Sequence, residues 1–433
     1  MMLEWLADTL VVLTLVGCAI MLAAVLAFFY QLRAYLALRS DGIALERRRL
    51  AHPLPPGDAL PHVVVQLPSF NEGAIVERSI ANATRLDWPK DKLHIQVCDD
   101  STDATTEVAR AATERARANG FDVVVLHRSD RSDFKAGALR NAMSKTGHEY
   151  FAILDVDYVS SPDFLRRCMA VLIGDPKVAF IQARPDFLNT DESLLTRAQS
   201  IMLDFHYGLE QAVRSWGSQV LPFNGTCGIW RRAAIEAGGG WRGDTVTEDW
   251  DLSYRAWLKG WRGVYVTSVT VSGELPTSLR VWLAQQNRWA AGIGEVAFKM
   301  LPPLFGNRSL SGGERWGATF PLVAWFAHVM FSVTIILALM AIGLRPSIAL
   351  SLGGTVYAVL IAATVALFAV MFAANRFVRP KTPFWTFAIG FIPVPFLTLY
   401  ISWANLRSLP ATLLGRQRVF VRTPKAGAAP NPS

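Results

Sequence analysis

The stretch Phe151-Ala152-Ile153-Leu154-Asp155-Val156-Asp157 decides the fold: a short apolar run breaks off into two carboxylates two residues apart. Four apolar residues bounded by a turn signal read as a strand buried on both faces. The arrangement recurs along the chain. The run at 95–98 ends in Asp99-Asp100, and the run at 63–67 ends in Pro68-Ser69-Phe70-Asn71-Glu72. Further runs lie at 123–126 and 178–182, and segments of helical composition fill gaps such as 103–119 and 134–145. Strand–helix alternation predicts an α/β domain with a parallel sheet covered on both faces. In such sheets ligands sit beyond the carboxyl ends of the strands, which is where these polar strings fall.

Outside this region the chain is greasy. Of 433 residues, 52% are hydrophobic, more than one folded core of this size uses, which points to helices in lipid. Residues 9–30 form a charge-free run of 22 residues, enough to cross about 30 Å of hydrocarbon as a helix. Glu4 and Asp8 precede it, and Arg33, Arg39 and Arg47-Arg48-Arg49 follow. This is an uncleaved anchor with its N-terminus outside, since a signal peptide has a basic start and a shorter core. Residues 318–344 and 348–373 form a helical hairpin around Arg345-Pro346-Ser347, and 384–403 is a third apolar segment interrupted by Pro393 and Pro395.

The net charge of +8 gathers beside these segments, at Arg376, Arg379 and Lys381 and at Arg416, Arg418, Arg422 and Lys425. Basic juxtamembrane loops facing anionic lipid have this pattern. No aromatic-interleaved basic patch is visible, which argues against a nucleic-acid partner. Three full C-terminal spans would put the basic tail on the opposite side from the α/β domain, and a broken third segment would restore agreement. Cys18, Cys98, Cys168 and Cys227 are widely separated and read as reduced, buried thiols.

Each polar string has chemistry available to it. Asp155 and Asp157, past a strand end, can aim two hard oxygens at one Mg²⁺ or Mn²⁺ bridged to phosphate. Asp99 and Asp100 can accept from a nucleobase imino group or a ribose hydroxyl. Alternatively, residues 101–103 act partly as a helix N-cap. Lys135 opens a helical segment, where an ammonium beside backbone N–H groups suits a phosphate oxygen. Thr247-Glu248-Asp249 offers a carboxylate base, with Asp251 as a competitor. Gln285-Gln286-Asn287-Arg288-Trp289 has helical spacing; Arg288 can hold diphosphate charge and Trp289 can stack on a sugar ring. Taken singly, each string also reads as a solvated turn, a surface lysine or a membrane-interface Trp–Arg pair.

Together, in this order, the four strings resemble the D, D-x-D, T-E-D, Q-x-x-R-W series of membrane-bound family-2 glycosyltransferases. Gln66-Leu67-Pro68-Ser69-Phe70-Asn71-Glu72, Gln182-Ala183-Arg184, residues 223–231 (Phe-Asn-Gly-Thr-Cys-Gly-Ile-Trp-Arg) and Gly239-Gly240-Trp241 look like the glucomannan (mannan) synthase-like branch and its bacterial relatives. The resemblance covers about residues 60–300. It implies a GT-A (Rossmann-like nucleotide-sugar-binding) domain flanked by transmembrane α-helices. It also implies an inverting, metal-dependent hexosyl transfer from UDP-glucose or GDP-mannose to a growing β-glycan. The implied base is Asp249, with Glu248 beside it; the implied nucleotide-sugar contacts are Asp99, Asp100, Lys135, Asp155, Gln285, Arg288 and Trp289; the implied metal ligands are Asp155 and Asp157. Phe223-Asn224-Gly225-Thr226 resembles the family's acceptor loop.

The expected organisation is an anchor (1–32), a linker (33–59), the transferase domain (60–275), interfacial helices (276–316), a membrane region (317–415) and a basic tail (416–433). Only about 130 residues follow Leu301, fewer than cellulose synthases carry there, so a long secretion channel is not implied. The expected setting is a bacterial inner membrane with the transferase cytoplasmic. Expected partners are the donor, a glycan or lipid acceptor, membrane lipid, and export or assembly proteins. Competing readings are a transferase acting on ceramide or diacylglycerol, and a non-catalytic assembly partner. Intact Asp157, Asp249 and Arg288-Trp289 argue against the latter.

Overall fold

The computed structural model describes residues 2–414 and divides into two units, one of residues 38–192 and 214–282, the other of residues 2–37, 193–213 and 283–414. The basic tail expected from Arg416 onward lies outside the described residues.

The first unit is built on eight strands: β1 (Val63–Ser69), β2 (Leu93–Asp99), β3 (Asp122–His127), β4 (Tyr150–Ile153), β5 (Val159–Ser160), β6 (Val178–Phe187), β7 (Gly228–Arg231) and β8 (Arg262–Gly273). Their order in the sheet is β3-β2-β1-β4-β7-β6-β8-β5. The first four are parallel, in register Val63↔Leu93, His94↔Asp122 and Val63↔Tyr150. Val63, Val64 and Val65 are wholly buried, as unbroken apolar runs covered on both faces must be. The buried Gln66 Nε2 donates to Gln96 Oε1 across β1 and β2 at 3.0 Å, and Gln96 Nε2 donates onward to the Ala142 carbonyl. Helices Ile75–Ala83, Thr105–Ala118 and Phe134–Met143 supply the crossovers.

The sheet is not parallel throughout. β7 runs antiparallel to both β4 and β6, and β5 antiparallel to β8. Gly228-Ile229-Trp230-Arg231 fits there because Trp230 is fully buried against Phe180 and Phe223.

The second unit is helical. The helix that opens it begins at Met2 and continues past residue 37, into residues of the first unit, to Leu50, so the expected anchor boundary at residue 32 does not coincide with the end of the helix. Leu, Ala, Arg and Glu in 33–50 are all good helix formers and carry it on. Among the described residues, four helices are long and apolar enough to cross a membrane: Met2–Leu50, Phe326–Leu344, Pro346–Val378 and Phe384–Leu413. The hairpin expected around Arg345 is present, and Arg345 Nη1 reaches Asp8 Oδ1 at 2.7 Å. At the other end of that helix, Asp204 Oδ2 accepts from Asn375 at 2.9 Å and Arg379 at 3.1 Å. The last apolar segment breaks into Phe384–Phe391 and Val394–Leu413, at Pro393, which has no amide hydrogen for the helical ladder. All four cysteines are free and buried.

Candidate active site

Strand ends β1, β2 and β4 bring the acidic strings to one edge of the sheet. Asp99 closes β2 and is fully buried. It accepts from the Ser101 amide (3.1 Å), the Thr106 hydroxyl (2.6 Å) and the His127 Nδ1 (2.8 Å). Both oxygens are thus engaged within the protein, where they shape the loop after β2.

Its neighbour Asp100 receives Arg128 in a two-point fork, Nε to Oδ1 at 2.8 Å and Nη2 to Oδ2 at 2.6 Å. Arg128 also donates to the carbonyls of Ser132 and Phe134. One guanidinium therefore ties Asp100 to the loop that launches helix Phe134–Met143. That loop turns through Asp133 and Phe134 at positive φ, 58° and 46°, and delivers Lys135 as the second residue of the helix.

Lys135 Nζ lies 2.5 Å from Asp155 Oδ1 and 2.9 Å from the Gly225 carbonyl. Burial works against its charge, but Asp155, Glu248 and Asp249 outweigh that and raise its pKa above the ordinary value. The lysine is a fixed cation. Asp155 is held from behind as well, its amide donating to Thr226 Oγ1 at 2.8 Å. Asp157 is buried, while a third of the Asp155 side chain remains exposed.

The loop 223–227 is clamped from two sides. The Asn224 amide donates to Gln182 Oε1 at 3.0 Å, and Gln182 Nε2 donates to the carbonyls of Thr226 and Cys227. On the other side the Phe223 amide donates to Ser253 Oγ (2.9 Å), and that hydroxyl donates to the Asp249 carbonyl (2.6 Å). Gly225 has φ +77°, and a Cβ there would lie 3.1 Å from Asp249 Oδ2 and 3.7 Å from Lys135 Nζ. Glycine is required both by the left-handed backbone and by the space.

Asp249 is the second residue of helix Glu248–Trp257. Burial, then the neighbouring Glu248, push its carboxyl up to about 8, against the opposing pull of the Trp250 amide and Lys135. A carboxyl poised near neutrality suits a general base. Asp251, the competitor, is fully buried and engaged by Arg255 Nε at 2.8 Å, a structural ion pair.

Asp100, Lys135, Asp155, Asp157, Glu248 and Asp249 thus lie in the sheet unit, and Lys135 links the groups from β4, the 223–227 loop and helix Glu248–Trp257. Gln285, Arg288 and Trp289 are half-buried on helix Leu279–Gly306 and belong to the helical unit, where Asn287 Nδ2 donates to the Tyr400 hydroxyl at 2.9 Å. Arg128, Gln182 and Ser253 position the site without having been marked for such roles. Arg128 directly follows β3, at the same strand-end position as the acids, and that was its signal.

The donor set fits a hard divalent cation. Asp155 and Asp157 offer carboxylate oxygens two residues apart, Lys135 takes one oxygen of Asp155, and the exposed side of Asp155 leaves room for an ion shared with phosphate.

Residues 61–292, more than half of the chain, match the glycosyltransferase-like family 2. The chain belongs to that family. Among its relatives, glucomannan 4-beta-mannosyltransferase 1 of Oryza sativa subsp. japonica is 40% identical over 295 residues, 64% of this chain and 56% of the relative. Glucomannan 4-beta-mannosyltransferase 9 of Arabidopsis thaliana is 37% identical over 309 residues, 69% of this chain and 57% of the relative. The chain therefore spans little more than half the length of these relatives. Among solved structures, a mannosyltransferase from Pyrobaculum calidifontis in complex with GDP-Man and Mn2+ superposes with a TM-score of 0.55 at 19% identity, covering 92% of this chain and 99% of the other. At that identity what is shared is the fold, the GT-A fold expected from the sequence.

Proposed function

We propose that this chain transfers a hexosyl group, with inversion, from a nucleotide sugar to a growing β-glycan. The observation that carries the reading is the Lys135-centred cluster at the carboxyl ends of the parallel strands, with Asp249 and Asp155 on either side of one ammonium.

Asp100, held by Arg128, faces the nucleotide end, while Asp99 shapes the loop beneath it. Asp155 and Asp157 would hold Mg²⁺ or Mn²⁺, which when bound would neutralise diphosphate charge. Lys135 balances the Asp155 carboxylate at 2.5 Å and adds a fixed positive charge beside the leaving group. Asp249, oriented by the Trp250 amide and kept basic by burial and Glu248, takes the proton of the acceptor hydroxyl. As that proton leaves, the acceptor oxygen bonds the anomeric carbon and the bond from that carbon to the diphosphate breaks. The nucleoside diphosphate departs, and an α-linked donor gives a β-linked product. Gln285, Arg288 and Trp289 are assigned to the diphosphate and the acceptor sugar.

The relatives named as 4-beta-mannosyltransferases support a mannosyl donor, so GDP-mannose is favoured over UDP-glucose. The four apolar helices found among the described residues support action at a membrane, and the arginines that follow the first apolar run favour a cytosolic transferase. The relatives reported are plant proteins and lend no support to a bacterial inner membrane. The test is release of nucleoside diphosphate by purified protein with Mn²⁺ or Mg²⁺, with Asp249→Asn as the inactive control. Release unchanged by Asp249→Asn would overturn the assignment of the base.

A further inference from the structure

Three histidines meet at the opposite, amino end of the same parallel strands. His62 immediately precedes β1, His94 is the second residue of β2, and His148 leads into β4. Their rings stack, with centroids 4.1 Å apart for His94 and His148, 4.8 Å for His62 and His148, and 5.1 Å for His62 and His94. One ring nitrogen from each lies within 4.8 Å of the others. His62 Nδ1 and His94 Nε2 are 2.8 Å apart, a spacing that requires a proton between two lone pairs. On its far side His94 Nδ1 meets Asp122 Oδ2 at 2.5 Å, and Asp122 opens the adjacent strand β3.

That arrangement has the parts of a transition-metal site. A carboxylate that holds Nδ1–H fixes the tautomer and ring orientation of His94 and leaves Nε2 as a lone pair, as outer partners of metal-bound histidines do. His94 is fixed by β2, and His62 and His148 flank the starts of β1 and β4, which the sheet places side by side because β1 lies between β2 and β4. None of these residues takes part in the cluster around Lys135. A tetrahedral ion with nitrogens at about 2.0–2.1 Å separates them by about 3.3 Å. The rings now lie within 9–21° of parallel, so ligation turns each imidazole about its side-chain torsions to aim a lone pair at the common ion, with the His62 proton moving to Nε2. His62 is exposed, which leaves entry from solvent and a fourth position for water.

We propose that His62, His94 and His148 bind one Zn²⁺-class ion, with Asp122 as the outer carboxylate. Imidazole donors select Zn²⁺, Co²⁺ or Ni²⁺ over Mg²⁺, so this site and the carboxylate pair Asp155/Asp157 take different metals. The ion would clip together the starts of three neighbouring strands, from segments 32 and 54 residues apart in sequence (His62 to His94, His94 to His148). Its role would be to stabilise the sheet, away from the transfer reaction.

The experiment is a Co²⁺ titration of the full chain, purified without a polyhistidine tag and without nucleotide sugar, followed by Zn²⁺ displacement. The expected result is visible absorption saturating at one equivalent, lost on Zn²⁺ addition, with a higher Tm in Zn²⁺ that EDTA reverses. His148→Ala and His62→Ala should abolish the absorption while leaving the metal-free Tm close to wild type. Asp122→Asn should weaken binding by about 10- to 100-fold, and Asp157→Asn should leave it intact. Should His94→Ala fail to fold, the two other histidine variants decide the matter. Absent cobalt absorption in the wild type, absorption surviving in the His62→Ala/His148→Ala double variant, or absorption lost in Asp157→Asn would each overturn the proposal.

Discussion

Lys135 Nζ lies 2.5 Å from Asp155 Oδ1, and the same ammonium reaches the Gly225 carbonyl at 2.9 Å. A lysine expected from its place at a helix start to meet phosphate is thus already engaged with a carboxylate expected to hold the cation. Removing it leaves Asp155 without this counter-charge and takes one donor from the Gly225 carbonyl. Lys135→Met should lower turnover by about 10²-fold or more, the scale of losing one preorganised charge at a reacting centre. Lys135→Arg should not restore it, because a planar fork cannot occupy a point-charge site. Turnover at saturating donor is the measurement.

Asp249 gives two linked expectations. As a base it works deprotonated, so Asp249→Asn should cut turnover by about 10²- to 10⁴-fold with little change in donor affinity. Loss of donor binding instead would move Asp249 to the nucleotide site. Its folded pKa, about 8, lies above the ordinary 3.8. The folded chain therefore holds the proton more tightly, and stability falls as pH rises from about 4 to about 8. Without donor or divalent cation, Asp249→Asn should flatten that decline and melt higher than wild type above pH 8. Thermal melts across this range check the sign.

Gly225→Ala should leave the protein folded and nearly inactive. The left-handed φ costs a side-chain-bearing residue about 1–2 kcal/mol, and the methyl would press on Asp249 Oδ2 at 3.1 Å. An active Gly225→Ala would mean that the loop does not need this approach.

Arg128 and Asp100 are both largely buried, 13% and 5% exposed at the side chain. Arg128→Ala leaves Asp100 uncompensated and should destabilise the sheet unit by about 3–5 kcal/mol. Arg128→Lys should rescue stability only in part, since it cannot make both contacts. Denaturation midpoints and donor KM should move together.

The parallel half of the sheet was legible because β1, β2, β3 and β4 are short apolar runs whose ends carry polar strings. β7 was not: Gly228-Ile229-Trp230-Arg231 is too short to show a period, and its antiparallel direction depends on packing of Trp230 against Phe180 and Phe223. The acids stand out in the sequence at strand ends, but which contacts each one makes does not. Asp99 and Asp100 are adjacent, and adjacent side chains at a strand end point to opposite sides; sequence cannot say which one faces inward to His127 and Thr106. Asp251 separates from Asp249 only once Arg255, one helical turn on, is seen to hold it. The first helix outran its apolar stretch because hydropathy reports lipid contact, whereas helix propensity reports backbone.

Trp289, on helix Leu279–Gly306, is assigned to the acceptor sugar. Trp289→Ala should cut polymer synthesis severely while leaving the metal-free Tm of the protein near wild type. Equal polymer yields from both would remove Trp289 from the acceptor site.

The most direct test of the account is the product that the purified protein makes from GDP-mannose and from UDP-glucose in Mg²⁺ or Mn²⁺. The expected product is an insoluble β-linked chain formed from GDP-mannose, degraded by β-mannanase, and absent in EDTA or with Asp157→Asn. A product that extracts wholly into chloroform–methanol with one or a few sugars, or transfer undiminished in chelator, would contradict it.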